Sequence, residues 1–476
     1  MTDKTSAKGI DRRHFMKLAG GSTLLSLASL NRLASASEAT NPGAPRPKNI
    51  LFLMDDQHHI DAFSALGNPH VSTPNLDKLL LSGTCFTESY CPFPICVPSR
   101  AATFSGRMPS ESRSDNNSIT PGMPNLGQWI HQNSGASDPL YVNRWHLPRG
   151  ATQMIDGFNV FSVGYPGLGY LTDCVCARAT EAFLYNTPAE NPFLMVASFM
   201  QPHDICEWLR MNTLNQPELR YPVIADELPP LPDNFGFDPR EPRRVSQSRE
   251  GNEPFGGARH GKAGNWEELH WRYYMWSYYR HVEQIDAEIG RILDALERTG
   301  RLRDTLIVFT SDHGEGLARH QTVRKGQVYD ESAKVPLVFS WPGHIPSGKR
   351  DEKTLVSGVD ILPTLCDYIG TPPPPKARGK SLRGALEKNT PPDRDFIVVE
   401  FTANRGRAIR TDRFKYVTVR GDSQKQLFDM QNDPGETRNL ADDPEYAEVV
   451  QHHRNLLNKW EAGLEPFDGE IFVDEA

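Results

Sequence analysis

The sequence predicts an α/β fold with a mostly parallel central sheet, and three observations indicate it. Residues 48–54, 192–200 and 305–310 form nearly continuous apolar runs, which are typical of strands buried on both faces of a parallel sheet. The last run follows a long amphipathic helix pattern, so helix and strand alternate along the chain. With 476 residues, 38% apolar and 24% charged, the chain is long enough for one large domain and a smaller one.

Two helices are expected to pack on this sheet. Thr73-Pro74 begins the first helix and Gly83 ends it. The second starts at Trp271 and ends before Gly300, and its apolar side chains recur at alternating steps of four and three, which indicates a buried stripe. The members of the stripe are Met275, Tyr278, Val282, Ile285, Ile289, Ile292 and Leu296.

A smaller C-terminal domain is predicted after four consecutive prolines at 372–375. Short strand patterns follow at 396–399, 414–419 and 427–429, and a final helix is expected to turn Tyr446, Val449, Val450 and Trp460 inward. We therefore assign 45–371 to a large domain that carries the chemistry and 376–476 to the smaller one.

The segment 239–262 is predicted to be a long irregular insertion, because its basic residues lie among Pro, Gly and Ser without periodicity. Such a segment is either a solvated loop or a rim that contacts substrate. Its cations are Arg240, Arg243, Arg244, Arg249, Arg259 and Lys262.

Residues 1–36 have the pattern of an export signal. Asp11-Arg12-Arg13-His14-Phe15-Met16-Lys17 precedes a modestly apolar stretch and then Ala34-Ser35-Ala36, as in a twin-arginine signal with an A-x-A cleavage site. The apolar stretch is too short and too rich in Gly and Ser for a transmembrane helix. We expect a periplasmic or otherwise exported protein that uses the twin-arginine machinery and has no stable membrane insertion.

The net charge argues against one class of partner. Removal of 1–36, which contains six basic and two acidic residues, takes the formal charge from -8 to -12. A protein this acidic is not expected to bind nucleic acid, and an anionic substrate would need a local basic site.

The most informative motif runs from Cys96 to Gly106 and reads Cys-Val-Pro-Ser-Arg-Ala-Ala-Thr-Phe-Ser-Gly. It matches C-x-P-S-R-x-x-x-x-[ST]-G, whereas a lone cysteine before a helix would be interpreted as a buried thiol. By this motif the chain resembles the formylglycine-dependent sulfatases of the alkaline phosphatase superfamily. The resemblance implies an alkaline-phosphatase-like α/β/α sandwich and a smaller C-terminal α+β domain with an antiparallel sheet.

The resemblance also assigns the nucleophile. In that family a formylglycine-generating enzyme oxidises the motif cysteine, and the hydrate of the resulting aldehyde attacks sulfur. Cys96 is therefore expected to become formylglycine, and Arg100 to hold its hydrate. The six other cysteines allow fifteen disulfide pairings, and we expect mostly buried free thiols.

Two acidic pairs predict a cation site. Asp55-Asp56 ends the first apolar run and Asp312-His313 follows the third. The carboxyl ends of parallel strands share one edge of a sheet, so the pairs could converge on one divalent cation, although an Asp-Asp pair alone is usually a helix cap or a solvated loop. Ligand types leave Ca²⁺, Mg²⁺, Mn²⁺ and Zn²⁺ open. The resemblance favours Ca²⁺, with residue 96 as a further ligand.

Tyr141-Val142-Asn143-Arg144-Trp145-His146-Leu147-Pro148 resembles the family's Gly-Lys-Trp-His-Leu segment, which supplies a sulfate-binding lysine and a histidine. Arg144 stands in place of that lysine and offers a planar fork instead of a compact ammonium, which could change sulfate placement. His146 would accept the proton that triggers sulfate release.

Three further residues complete the predicted pocket. Gln201-Pro202-His203 resembles the family's turn whose histidine protonates the leaving alcohol, so His203 is the expected general acid. His320 and Lys325 lie eight and thirteen positions after Asp312, at the family's spacing. Lys325 would be the second cation on the sulfate, and His320 a weaker candidate for substrate binding.

We therefore expect an exported sulfuric ester hydrolase that cleaves a sulfated small molecule or, more specifically, a sulfated carbohydrate. Two alternatives stay open. One is a phosphonate or phosphodiester hydrolase on the same scaffold, since sulfate and phosphate differ little in geometry. The other is a catalytically silent protein that binds a sulfated glycan, which would have no need of the proton-transfer histidines.

Overall fold

The computed structural model describes residues 45–112, 123–134, 140–142, 157–161, 168–213, 222–249, 263, 266–402 and 405–467. These residues belong to one compact unit, 40–476. The predicted export signal at 1–36 and two predicted site residues, Arg144 and His146, lie outside the described residues. No described helix is both long enough and apolar enough to cross a membrane.

The described strands are β1 (Asn49–Asp56), β2 (Thr84–Phe86), β3 (Ser89–Tyr90), β4 (Leu140–Val142), β5 (Asn159–Phe161), β6 (Leu194–Pro202), β7 (Thr305–Ser311), β8 (Leu337–Ser340), β9 (Lys349–Asp351), β10 (Val356–Ser357), β11 (Phe396–Phe401), β12 (Gly406–Thr411), β13 (Phe414–Val419) and β14 (Lys425–Asp429). The described α-helices are α1 (Pro74–Leu81), α2 (Cys96–Ser105), α3 (Pro109–Ser112), α4 (Leu126–Ser134), α5 (Gly169–Asn186), α6 (Ile205–Thr213), α7 (Arg243–Arg249), α8 (Glu268–Arg298), α9 (Asp330–Ala333), α10 (Ile361–Ile369), α11 (Arg383–Lys388) and α12 (Ala447–Ala462).

The central sheet has the strand order β5-β4-β6-β1-β7-β8-β2-β9. Strand β1 lies between β6 and β7 and is parallel to both, whereas β8 is antiparallel to its two neighbours. The prediction of a mostly parallel central sheet is therefore confirmed.

Alternate side chains of β1 enter two different cores, which makes the fold a three-layer sandwich. Ile50, Phe52 and Met54 pack with residues of α4 and α10 on one face. Leu51 and Leu53 pack with α1, α5 and α8 on the other. The predicted stripe of α8 is buried along its whole length, because its second half, from Ile285, packs in the second core and its first half, up to Val282, packs in a separate cluster with α6.

The C-terminal part is an antiparallel sheet, β11-β12-β13-β14, that packs on α12. The four side chains predicted to turn inward from the final helix pattern all pack against this core, with Tyr446 just before α12 begins. The C-terminal region therefore has the predicted α+β architecture, an antiparallel sheet with a helix packed on it. Its boundary at 372–375 stays a prediction.

One prediction about secondary structure was wrong. The segment 239–262 was expected to be irregular throughout, but Arg243–Arg249 forms α7. Val245 explains the helix, because its buried side chain packs with Tyr329, Phe428 and Met430 and so anchors the turn. Residues 250–262, which include Arg259 and Lys262, lie outside the described part of the chain.

Candidate active site at the carboxyl edge of the sheet

The acidic pairs meet at one edge of the sheet because β1 and β7 are parallel neighbours in register. Asp55 of β1 lies opposite Ser311 of β7, so Asp56 and Asp312 leave their strands side by side. Cys96 begins α2 at the same edge, and the positive end of that helix favours negative charge at residue 96.

Four of the predicted residues form a buried group, which we call the strand-end cluster: Asp56, Cys96, Asp312 and His313. One potential ligand atom from each lies within 4.8 Å of the others. Cys96 Sγ is 3.1 Å from His313 Nε2 and 3.7 Å from Asp56 Oδ1. His313 Nε2 is 3.6 Å from Asp312 Oδ1. All four side chains are almost fully buried.

Arg100 is the central cation of this edge and is 1% exposed. Its Nε donates to Asp312 Oδ2 at 2.6 Å and its Nη2 to Asp56 Oδ2 at 3.2 Å. Its Nη1 donates to Ser198 Oγ at 2.7 Å, which ties the guanidinium to β6. A planar guanidinium can hold two carboxylates in fixed positions, and Arg100 does so for the two strand ends.

Asp55 is fully buried beside the cluster. His58 Nδ1 lies 2.6 Å from Asp55 Oδ2. The other carboxylate oxygen, Asp55 Oδ1, has no hydrogen-bond partner among the described residues. Burial raises the pKa of this carboxyl group, although His58 opposes the effect. A buried carboxylate oxygen without a donor is costly unless a cation or water binds it. The strand-end cluster and Asp55 together therefore suit a divalent cation, and the number of carboxylates favours a hard one.

Nearby negative charge raises the pKa of two basic side chains, His313 in the strand-end cluster and Lys325 beside it. Burial alone would lower the pKa of His313, but Asp312 and Cys96 raise it to about 9. Burial alone would also lower the pKa of Lys325. Negative charge on its neighbours outweighs burial and raises the pKa of Lys325 above its usual value; these neighbours are Cys96, Cys206, Asp56 and Asp312. Lys325 donates to Gln57 Oε1 and is half-buried, so it lies at this edge as predicted from its spacing.

His203 reaches the same edge from β6. Pro202, the residue before it, pairs with Asp56 of β1. His203 lies in the turn before α6, where its backbone N donates to Met200 O at 2.9 Å, and it is half-buried. Its position next to the strand-end cluster is compatible with the predicted general-acid role, which stays a prediction.

His320 points elsewhere. Its Nδ1 lies 2.7 Å from Glu331 Oε1, its Nε2 lies 3.3 Å from the backbone O of Glu436, and its ring stacks on Tyr329 at 3.9 Å. The structure therefore groups His320 with the C-terminal region rather than with the strand-end cluster, and its predicted contact with substrate stays a prediction.

Sequence reasoning missed several residues that support the site. Gln57 and His58 follow the Asp55-Asp56 pair directly, Ser198 lies on β6, and Ser99 Oγ donates to the backbone O of Asp312 at 2.5 Å. Their adjacency to motif residues is a signal that could have found Gln57, His58 and Ser99. Ser198 has no such signal, because its contact with Arg100 depends on the pairing of β6 with β1.

Comparison with known proteins decides the family. A family profile described as Sulfatase matches residues 48–371, and a second, described as N-sulphoglucosamine sulphohydrolase, C-terminal, matches residues 318–462. The chain belongs to the sulfatase family. The predicted family and its activity as a sulfuric ester hydrolase are thereby confirmed.

Sulfatases that act on different sugars are among the relatives. Delta 4,5-hexuronate-2-O-sulfatase of Bacteroides thetaiotaomicron is 30% identical over 453 residues, covering 88% of this chain and 89% of the relative. N-acetylglucosamine-6-O-sulfatase of the same organism is 26% identical and covers 93% of this chain and 91% of the relative.

Solved structures agree on the sulfatase fold. A 2-O GAG sulfatase has a TM-score of 0.77 at 26% identity and covers 90% of this chain and 95% of its own. The phosphonate monoester hydrolase of Agrobacterium radiobacter has a TM-score of 0.73 at 26% identity and covers 88% and 96%. The same sandwich therefore carries two hydrolytic activities.

Proposed function

We propose that this sulfatase removes sulfate esters from a sulfated carbohydrate, with formylglycine at position 96 and a bound Ca²⁺. The observation that carries the proposal is the strand-end cluster, in which Cys96 Sγ lies among Asp56, Asp312 and His313 beside Arg100. Carboxylates from two strand ends surround Cys96 Sγ, and sulfur is not the ligand type that a hard cation prefers. The same surroundings suit an oxygen ligand of a hard cation.

Asp55, Asp56, Asp312 and His313 would hold the cation, together with an oxygen at residue 96. Cys96 Sγ stands where a hydroxyl of the formylglycine hydrate would lie. Ca²⁺ would offset negative charge on the sulfate and on the attacking oxygen. Formylglycine would supply a geminal diol as the nucleophile.

Side chains of the protein would position the cation ligands, bind the sulfate and transfer the protons. Arg100 fixes Asp56 and Asp312, so the two strand ends keep their relative position during turnover. Lys325 and Arg144 would neutralise the outer sulfate oxygens, and His203 would donate a proton to the leaving alcohol. His146 would accept the proton whose loss releases sulfate.

The sulfated carbohydrate is favoured by the relatives, since Delta 4,5-hexuronate-2-O-sulfatase and N-acetylglucosamine-6-O-sulfatase are named for sulfated sugars. A second candidate activity, phosphonate monoester hydrolysis, is favoured by the structural similarity to the Agrobacterium enzyme. Tetrahedral sulfate and phosphonate esters fit pockets of the same shape, so only turnover separates them.

The first test combines mass spectrometry with turnover on the protein made in a host that contains a formylglycine-generating enzyme. We expect the tryptic peptide with residue 96 to be about 18 Da lighter than the cysteine form. We also expect cleavage of 2-O-sulfated uronate or 6-O-sulfated N-acetylglucosamine to exceed cleavage of an aryl phosphonate. Preferred cleavage of the phosphonate would favour the second candidate.

The Cys96→Ala variant should lose at least about 10³-fold in kcat, because the nucleophile is absent. Cys174→Ala is the matched control, since Cys174 is a free thiol on α5 that is only half-buried. An unmodified Cys96 in such a host, or full turnover by Cys96→Ala, would exclude the formylglycine mechanism.

Export by the twin-arginine route rests on the sequence pattern of residues 1–36. We propose a periplasmic or otherwise exported location. Replacement of Arg12 and Arg13 by lysine should keep the protein in the cytoplasm, as measured by cell fractionation. Unchanged export of that variant would contradict the proposal.

A further inference from the structure

Gln57 is a buried residue that directly follows the Asp55-Asp56 pair, and its main chain is fixed at both sides. Its backbone N donates to Asp312 Oδ1 at 3.2 Å and its backbone O accepts from Tyr278 Oη at 2.7 Å. Its φ is 76°, in the left-handed region that non-glycine residues rarely adopt. These two contacts hold the main chain of Gln57 between the strand-end cluster and α8.

The side chain of Gln57 joins two residues of the segment after β7. Its Oε1 accepts from Lys325 Nζ, and its Nε2 donates to Glu315 Oε2. Glu315 is fully buried and, when ionised, can only accept, so it selects the amide nitrogen and leaves the amide oxygen for Lys325.

Glu315 is itself held in place. Its other oxygen accepts from Tyr274 Oη and from the backbone N of Arg324. Tyr274 is buried on α8, so the amide of Gln57 is oriented by a chain of contacts that starts in the core. This series of contacts ends at the ammonium of Lys325.

A neutral partner has a specific advantage for Lys325. A carboxylate at hydrogen-bond distance would offset the positive charge that the sulfate requires, whereas an amide oxygen fixes the ammonium without cancelling it. Lys325 is half-buried, so part of its surface remains accessible.

We propose that Gln57 is a positioning residue that aims the Lys325 ammonium at the sulfate. This inference rests on the proposed function and extends it, because it adds a residue that none of the sulfatase motifs above contains. Gln57 acts through Lys325 and does not itself touch the reacting atoms.

The test is a double-mutant cycle on the cation-loaded protein, with inorganic sulfate as the ligand and calorimetry as the readout. Gln57→Met removes the side-chain contacts to Lys325 and Glu315, together with the longer ones to Cys206 Sγ, and keeps the backbone donation to Asp312. We expect it to weaken sulfate binding about tenfold, the effect of one lost hydrogen bond to a charged group. The double variant Gln57→Met/Lys325→Met should bind sulfate no more weakly than Lys325→Met alone.

Gln426→Met is the matched control, because Gln426 is equally buried but lies on β14 and donates to Tyr329. It should leave sulfate affinity unchanged. Cation affinity should be equal in Gln57→Met and the wild type, since a general distortion of the site would change it.

Additive losses in the cycle would overturn the inference, and so would an unchanged sulfate affinity in Gln57→Met. Loss of cation affinity in Gln57→Met would also overturn it, by showing a structural role instead. A wild type that binds sulfate but cleaves no sulfate ester would refute the proposed function while the cycle could still be measured.

Discussion

Two buried groups of charges lie at opposite ends of the segment after β7, and they are balanced differently. In the ion network at the C-terminal sheet, formed by Glu88, His320, Asp330, Glu331, Lys334, Arg410, Lys415 and Glu436, every carboxylate lies within 4 Å of a basic group. At the strand-end cluster, Asp56 and Asp312 share Arg100, and Asp55 Oδ1 has no hydrogen-bond partner among the described residues.

The difference suits a structural role for the network and cation binding for the cluster. Buried ion pairs contribute little net stability when complete, but removal of one partner costs about 3–5 kcal/mol because the other charge stays buried. In the network each carboxylate has a basic partner from the chain itself. Beside the cluster, the buried Asp55 Oδ1 has no hydrogen-bond partner among the described residues, so a cation bound there would contribute to stability.

Arg100→Met should give the largest effect, because it leaves Asp56 and Asp312 without their shared cation. We expect a loss of about 3–5 kcal/mol in the free energy of unfolding, and almost complete loss of sulfatase turnover. Added Ca²⁺ should restore part of the stability, measured by urea unfolding with and without the ion. A variant whose stability did not respond to Ca²⁺ would contradict cation binding at the cluster.

Lys415→Met tests the other group. Lys415 Nζ lies 2.8 Å from Asp330 Oδ1 and 2.6 Å from Glu436 Oε1, so its loss should also cost about 3–5 kcal/mol. Here Ca²⁺ should restore nothing beyond its effect on the wild type. If the ion stabilised this variant as strongly as Arg100→Met, the two groups would not differ as proposed.

His58→Ala tests the contact that orients the buried carboxylate of Asp55 beside the cluster. His58 Nδ1 holds Asp55 Oδ2 at 2.6 Å and its Nε2 lies 3.2 Å from Ala62 O, so the ring orients the carboxylate. Loss of such a partner weakens metal binding by about 10–100-fold. Calorimetric titration with Ca²⁺ measures it, and the exposed His452→Ala serves as control. Equal Ca²⁺ affinity in the two variants would show that His58 does not contribute to cation binding.

The smallest effect is a pH dependence in the network. Burial raises the pKa of Glu436 to about 7, Lys415 opposes the rise, and Asp330 and Glu331 add to it while His320 lowers it. Since the folded state holds this proton more tightly than the unfolded state, stability should fall as pH rises from about 4.5 to about 7.

Glu436→Gln should remove that contribution, so the variant gains about 1–2 kcal/mol relative to the wild type between pH 5 and pH 8. Urea unfolding at several pH values measures the difference. Parallel stability curves for the two proteins would show that Glu436 does not titrate in this range.

The sequence could predict the parts of the site that follow from strand ends and motif spacing. Asp56, Asp312 and His313 converge because parallel neighbours end at one edge, and Cys96 begins a helix at that edge. The orientation of Gln57 could not be predicted, since it depends on Glu315 and Tyr274, which are distant in sequence. The contact of His320 with Glu436 likewise depends on how the C-terminal sheet packs.

The contacts of the segment 320–331 have a consequence for engineering. Lys325 lies between His320 and Asp330, and both of these are held by residues of the C-terminal region, Glu436 and Lys415. A chimera that takes its C-terminal sheet from another sulfatase would therefore change the contacts that hold the segment with Lys325. An exchange of C-terminal sheets between relatives should succeed only when residues 415 and 436 are exchanged together with the segment 320–331 that they contact.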